Sequence, residues 1–264
     1  TCIYRERLHT RNGKSELPLE NTTENPLDSS SEKSTGQVTI LRRIPLTIHW
    51  NMQREDSAAP QKGLLLSRLL KIAAAIQAQT IPPLLEGKDV LGQAQTGTGK
   101  TAAFALPILA RIDLAQRLPQ ALVLTPTRER AIQVAEAFQK YAHHMKDFHV
   151  VPLYGGQSMV VQLRQLSRGA QIIVGTPGRV MDHLKRGSLV LDDLRMLVLD
   201  EADRMLDMGF IHDIKKIIKL VPEKRQTLFF SATYSKDIKA LSESILRNPS
   251  LVEVARQNTS AETV

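Results

Sequence analysis

From about residue 63 onward, short apolar runs alternate with longer amphipathic stretches. The runs at 89–92, 121–125, 150–154, 171–175, 196–200 and 227–231 are four to six residues each and dominated by Val, Leu, Ile or Phe. Runs apolar on both faces suit strands covered on both sides, and helical-looking segments separate them. That alternation predicts an α/β fold, a predominantly parallel sheet with helices on both faces. Such sheets bind ligands beyond the C-terminal ends of their strands, so the residues just after each run become the candidates for chemistry. The stretch 64–79, rich in Leu, Ala and Ile, predicts a helix ahead of the first strand.

The preceding residues read differently. Residues 1–60 form an irregular N-terminal tail, with 17–37 rich in Ser, Thr, Asn and Glu and without helical or strand period. Within it 38–50 has the apolar flavour of a short strand. The folded domain is expected over 61–255, with 256–264 left as a trailing segment.

Composition sharpens this picture. Of 264 residues 42% are hydrophobic but only 4% aromatic, so the core must be built from Leu, Ile, Val and Ala. The net charge is +8, and residues 1–60 hold eight basic and eight acidic residues, so the excess lies on the folded part. A positive surface favours phosphate-rich partners without specifying a sequence. Cys2 is the single cysteine, which excludes an internal disulfide and a cysteine-based metal site. No run approaches the roughly 18–20 apolar residues of a membrane span, and the start lacks a signal-peptide core. A cytoplasmic protein is expected, and the absence of an initiating Met suggests a fragment.

Immediately after the first run comes Ala94-Gln95-Thr96-Gly97-Thr98-Gly99-Lys100-Thr101, followed by a helical stretch at 102–111. Glycines let the backbone wrap so that N–H groups point at phosphate oxygens, and the helix adds its positive end. Lys100 suits the β- and γ-phosphates, and the Thr101 hydroxyl suits Mg²⁺. The strand 196–199 runs into Asp200-Glu201-Ala202-Asp203. Asp200 is placed to hold Mg²⁺ directly or through water, and Glu201 to accept a proton from the water attacking a γ-phosphate. The same residues could be no more than an acidic helix start favoured by the dipole.

In this setting the chain resembles the DEAD-box RNA helicases of bacterial type, over about residues 63–255 and in the first RecA-like domain of that P-loop fold. The motifs occur in order: 94–101, Pro126-Thr127-Arg128-Glu129, Gly155-Gly156, Thr176-Pro177-Gly178-Arg179, Asp200–Asp203 and Ser231-Ala232-Thr233. The resemblance implies ATP and Mg²⁺ as cofactors and RNA as partner, with ATP hydrolysis driving local duplex unwinding. Lys100, Asp200 and Glu201 would be catalytic. Pro126, Thr127, Arg128, Gly155, Gly156, Thr176, Pro177, Gly178 and Arg179 would touch RNA. They would read the sugar-phosphate backbone rather than the bases. The alternative for Arg179 is a structural ion pair. Asp203, Ser231 and Thr233 would couple hydrolysis to strand separation, unless 231–233 only cap the next helix. The segment after Asp203, with Met208-Gly209-Phe210, is most similar to members of the cold-shock and ribosome-assembly kind. Partner proteins in ribosome assembly or RNA decay are left open.

Three departures from the pattern stand out. Gln77 remains at the adenine-recognising position, but Ala73-Ala74-Ala75 replaces the usual Pro-Thr part, so Gln77 is either an adenine contact or an exposed polar residue. Arg130 replaces the usual Leu, and a charge there must find solvent or a partner. Finally, the chain stops at Val264, so 256–264 would begin a linker to a missing second lobe that carries the arginine finger. The expectation for this chain alone is weak hydrolysis. The alternative is a nucleotide-regulated RNA-binding module without useful turnover.

Overall fold

In the computed structural model, residues 75–95 and 97–253 are described, so the tail, the 38–50 strand and most of the 64–79 helix lie outside the described residues. The chain order is α1 (Ala75–Leu85), β1 (Val90–Gln93), α2 (Lys100–Arg111), β2 (Ala121–Leu124), α3 (Arg128–Tyr141), β3 (Val150–Leu153), α4 (Met159–Ser167) and β4 (Ile172–Gly175). It continues through α5 (Pro177–Lys185), β5 (Met196–Leu199), α6 (Ala202–Asp207), α7 (Ile211–Leu220), β6 (Gln226–Ser231), α8 (Lys236–Ile245) and β7 (Ser250–Glu253). The seven strands form one sheet in the order β3-β4-β2-β5-β6-β1-β7, and every pair is parallel.

Alternation along each strand sorts the core into two layers. Val90, Val123, Val198 and Phe230 join Ile76 of α1, Phe104 of α2 and Phe138 of α3 on one face. Leu91, Leu122, Leu197 and Phe229 join Val180 of α5, Met205 of α6, Ile217 of α7 and Leu241 of α8 on the other. The few aromatics are concentrated, with Phe104 packed on both Phe138 and Phe230 at ring-centroid distances of 6.1 and 5.7 Å.

Two elements differ from the sequence expectation. The six expected runs all form strands, but β7 is a seventh. It lies at the edge beside β1, with only Val252 buried and Leu251 70% exposed, so its four residues carry no apolar run. The first helix extends past Gln79 to Leu85, through Pro82 and Pro83. Ile76, Thr80 and Leu84 recur every four residues and are buried, and this stripe carries the helix across the two missing N–H donors.

Buried polar side chains tie the strand N-termini together. Asp89 accepts from the Thr227 N–H at 2.7 Å and the Arg247 N–H at 2.8 Å. Gln226 donates to the Leu84 carbonyl at 3.1 Å and accepts from Arg111. At the opposite edge the strands stay in step: Gln93 faces Ser231, Leu124 faces both Leu199 and Gly175, and Leu153 faces Gly175. All six candidate motifs leave the sheet from this one edge.

Candidate nucleotide and nucleic-acid site

The turn after β1 is shaped by its glycines. The Ala94 N–H extends the ladder to the Ser231 carbonyl at 3.1 Å, after which Gly97 and Gly99 take φ of 85° and 88°. Side chains at these left-handed positions would be strained, whereas glycine adopts them freely. The Thr98 hydroxyl donates to the Gln95 carbonyl at 2.8 Å. Thr96 lies outside the described residues. The turn leads directly into α2, which starts at Lys100 rather than two residues later.

Lys100 is buried, and its ammonium donates to the Ala94 carbonyl at 2.8 Å, so it is folded into the turn. Burial pushes its pKa below the usual lysine range, opposed by Asp200 and Glu201. Gln77 reaches the same turn, donating to the Gly99 carbonyl at 3.3 Å.

The acidic segment meets this turn. The Asp200 N–H continues the ladder to the Leu124 carbonyl at 2.9 Å, and its side chain is fully buried. Burial pushes the Asp200 carboxyl above the usual carboxylate range, and the charges of Arg130 and Lys100 oppose that shift. Glu201 sits at φ 56°, ψ 53°, a left-handed backbone that is uncommon outside glycine and aims its carboxylate back toward the site. Arg204 donates to Glu201 at 3.1 Å.

Arg130, in the first turn of α3, closes the gap between the two segments. Its Nε donates to Asp200 Oδ2 at 2.8 Å, and its Nη2 donates to the same oxygen and to the Thr101 hydroxyl at 3.2 Å. Glu201 Oε1 lies 3.6 Å from Nε. The charge that the sequence left without a partner is therefore spent on the carboxylates of the acidic motif.

The donors suit a hard cation. Thr101 and Asp200 offer oxygen, and Asp200 Oδ1 is buried without a hydrogen-bond partner among the described residues, an acceptor that a cation or its water would satisfy. Among the described residues no group of three or more His, Cys, Asp or Glu converges. That sparse set is compatible with Mg²⁺, which keeps waters and substrate phosphates as its remaining partners.

Asp203 binds the loop after β6. Its Oδ2 accepts from the Ala232 N–H at 3.1 Å, the Thr233 N–H at 3.0 Å and the Thr233 hydroxyl at 3.2 Å. Ser231 Oγ donates to the Thr233 carbonyl at 2.7 Å. Residues 231–233 do not cap α8, because that cap is Ser235, which accepts from the Ile238 N–H.

The remaining motif residues divide by exposure. Arg128, Gly155 and Gly156 are exposed, and a Cβ on Gly156 would come within 3.3 Å of Arg128 Nη1, so the two motifs lie side by side. Pro126, Thr176 and Pro177 are buried. Thr127 caps α3, its hydroxyl accepting from the Arg130 N–H. Thr176 is the N-cap residue of α5, with Pro177 at the helix start and Gly178 half-buried beside it.

Arg179 is committed internally. Its Nη1 donates to the Gln157 carbonyl and to Gln162 Oε1, both at 3.1 Å, and its Nε lies 3.7 Å from Asp182. Gln162 also donates to the Tyr154 carbonyl at 3.0 Å, and His183 Nε2 lies 2.9 Å from Gln162 Oε1. This network, which the sequence did not suggest, ties the loop around Gly155-Gly156 to α5. Within α4 Gln162 is the buried residue, while the neighbouring Val160, Val161 and Leu163 are exposed, so hydrophobicity along the chain gave no sign of it.

The DEAD/DEAH box helicase family matches residues 74–241. An ATP-dependent RNA helicase DeaD of Buchnera aphidicola is 56% identical over 179 residues, covering 68% of this chain and 30% of that protein. The protein of the same name from Escherichia coli is 55% identical, with 68% and 28% covered. The Mycobacterium tuberculosis one is 53% identical over 190 residues, with 72% and 34% covered. The chain thus spans about a third or less of these relatives' length. A crystal structure of a DEAD box protein from the hyperthermophile Methanococcus jannaschii superposes with TM-score 0.67 at 35% identity, covering 75% of this chain and 55% of that one. Among the described residues no helix is long and apolar enough to cross a membrane. The glycine turn ending in Lys100, the acidic segment and these matches lead to one conclusion: the chain belongs to the DEAD/DEAH box helicase family.

Proposed function

We propose that residues 61–255 are the ATP-binding domain of an RNA helicase. It binds Mg-ATP and the backbone of single-stranded or locally opened RNA, and hydrolyses ATP to open short duplexes when joined to a second RecA-like lobe. The observation that carries this reading is the meeting of Thr101 and Asp200, which share one guanidinium although 99 positions separate them in the chain.

Lys100 leaves the Ala94 carbonyl to hold the β- and γ-phosphates, while the N–H groups of the turn and of α2 face the phosphate oxygens. Gln77, already at the turn, contacts adenine. Thr101 and Asp200 would hold Mg²⁺, which supplies charge neutralisation to the developing phosphate oxygens. Glu201 takes the proton of the attacking water. Arg128, Gly155 and Gly156 contact the RNA backbone directly, and Pro126, Thr127, Thr176, Pro177, Gly178 and Arg179 hold the loops that present it. Asp203 passes changes at the acidic segment to Ser231 and Thr233.

A second reading, a nucleotide-regulated RNA-binding module without useful turnover, is favoured by one observation: Arg130 holds both Asp200 and Glu201. One experiment separates the two. Phosphate release is measured with and without single-stranded RNA for the chain joined to a second RecA-like lobe, alongside binding of fluorescent ATP and GTP analogues. RNA-dependent release by the joined protein, abolished by Glu201→Gln, supports the hydrolase. Preferential ATP binding without release by the joined protein supports the module. Absence of nucleotide binding refutes both.

A further inference from the structure

The Thr127 cap fixes the first turn of α3, and with it the point from which the Arg130 side chain departs. That side chain is 20% exposed and ends in a guanidinium bonded to Thr101 Oγ1 and Asp200 Oδ2, the oxygen groups to which the proposed function gives the metal. Of the side-chain oxygens of Thr101 and Asp200, Asp200 Oδ1 is the one without a hydrogen-bond partner among the described residues. A charge-assisted contact of this kind is among the stronger hydrogen bonds available to a carboxylate.

A divalent cation entering here meets a resident positive charge and two oxygens already engaged. Its binding and the Arg130 contact therefore oppose each other, and by linkage each weakens the other by the same factor. The guanidinium also carries its own charge beside the phosphate turn, where it offsets part of the repulsion between a triphosphate and the two carboxylates.

We propose that Arg130 is a built-in competitor of the divalent metal at the nucleotide site, so that this chain takes a nucleoside triphosphate with little dependence on metal. Mg²⁺ enters fully only when the guanidinium withdraws from Asp200 and Thr101. This rests on the nucleotide-binding reading above.

The test uses the full 264-residue chain, a fluorescent ATP analogue, and the variants Arg130→Leu and Arg130→Gln, each checked for native circular dichroism. Affinity is measured in Mg²⁺ and in EDTA. The wild type is expected to change by about twofold or less between the two conditions, and both variants by about fivefold or more. The Mg²⁺ concentration that half-saturates the protein–nucleotide complex should fall by a similar factor in the variants. Should Arg130→Leu not fold, Arg130→Gln carries the comparison, because it keeps a polar side chain of intermediate length. Equal metal dependence in the wild type and the folded variants overturns the proposal. Loss of nucleotide binding by every protein in both conditions instead overturns the underlying site, and the competition with it.

Discussion

Asp203 and Thr233 are joined by two hydrogen bonds to one carboxylate oxygen, from the Thr233 N–H at 3.0 Å and its hydroxyl at 3.2 Å. A third comes from the Ala232 N–H. Because these groups are largely exposed, Asp203→Ala is expected to cost only about 1 kcal/mol in chemical denaturation. The sharper readout is local. Amide exchange at Ala232 and Thr233 should quicken while that of β6 stays unchanged, and Asp203→Asn, which keeps an acceptor, should recover part of the protection.

Lys100→Ala removes the ammonium assigned to the β- and γ-phosphates. Charge-assisted hydrogen bonds contribute roughly 1.5–3 kcal/mol, so affinity for a fluorescent ATP analogue should fall by about tenfold or more. The circular dichroism spectrum should be unchanged. Wild-type affinity in this variant would remove the phosphate turn from the site.

Gly92 lies in β1 against Phe230, and a Cβ there would approach the ring to 2.5 Å. The ring is itself packed against Phe104 and cannot simply step aside. Gly92→Ala should therefore destabilise the chain by roughly 1–3 kcal/mol through overpacking. A thermal melt decides the matter, and an unshifted midpoint would mean that the ring has room to move.

His183 is buried, and burial holds its ring below the usual histidine range, helped by Arg179 and Arg186 and opposed by Asp182. The folded state thus resists a proton that the unfolded chain accepts near pH 6.5. Its contribution to stability is complete above that pH and declines on acidification below it. Urea midpoints between pH 7.5 and 5.5 should fall more steeply for the wild type than for His183→Asn, whatever the offset between them at neutral pH. Parallel curves would mean that His183 takes its proton equally in both states.

Much of this was legible beforehand because the chemistry sits where chain direction dictates. Strands such as β2 and β5 are buried at every position, which produces apolar runs that alternation with helices turns into a parallel sheet. Strand ends then collect the motifs at one edge. The exposed edge strand β7 gave no such run, and Pro82-Pro83 masked the true end of α1. Arg130 was visible as a departure, but its partner was not. Nothing local in a chain says that positions 130 and 200 come together. A structural role for Arg179 was an open alternative, but its partners Gln157, Gln162 and Asp182, and the link from Gln162 to His183, were hidden for the same reason.

The position of β6 has a further consequence. It lies between β1 and β5, so the turn ending in Lys100 and the acidic segment rise from strands two spacings apart, about 9.5 Å at the usual interstrand distance. That gauge is set by backbone ladders, so changes of side chain in either loop leave it untouched. Evolution at this edge can swap what bridges the span, an ion or a long side chain, without moving its two abutments.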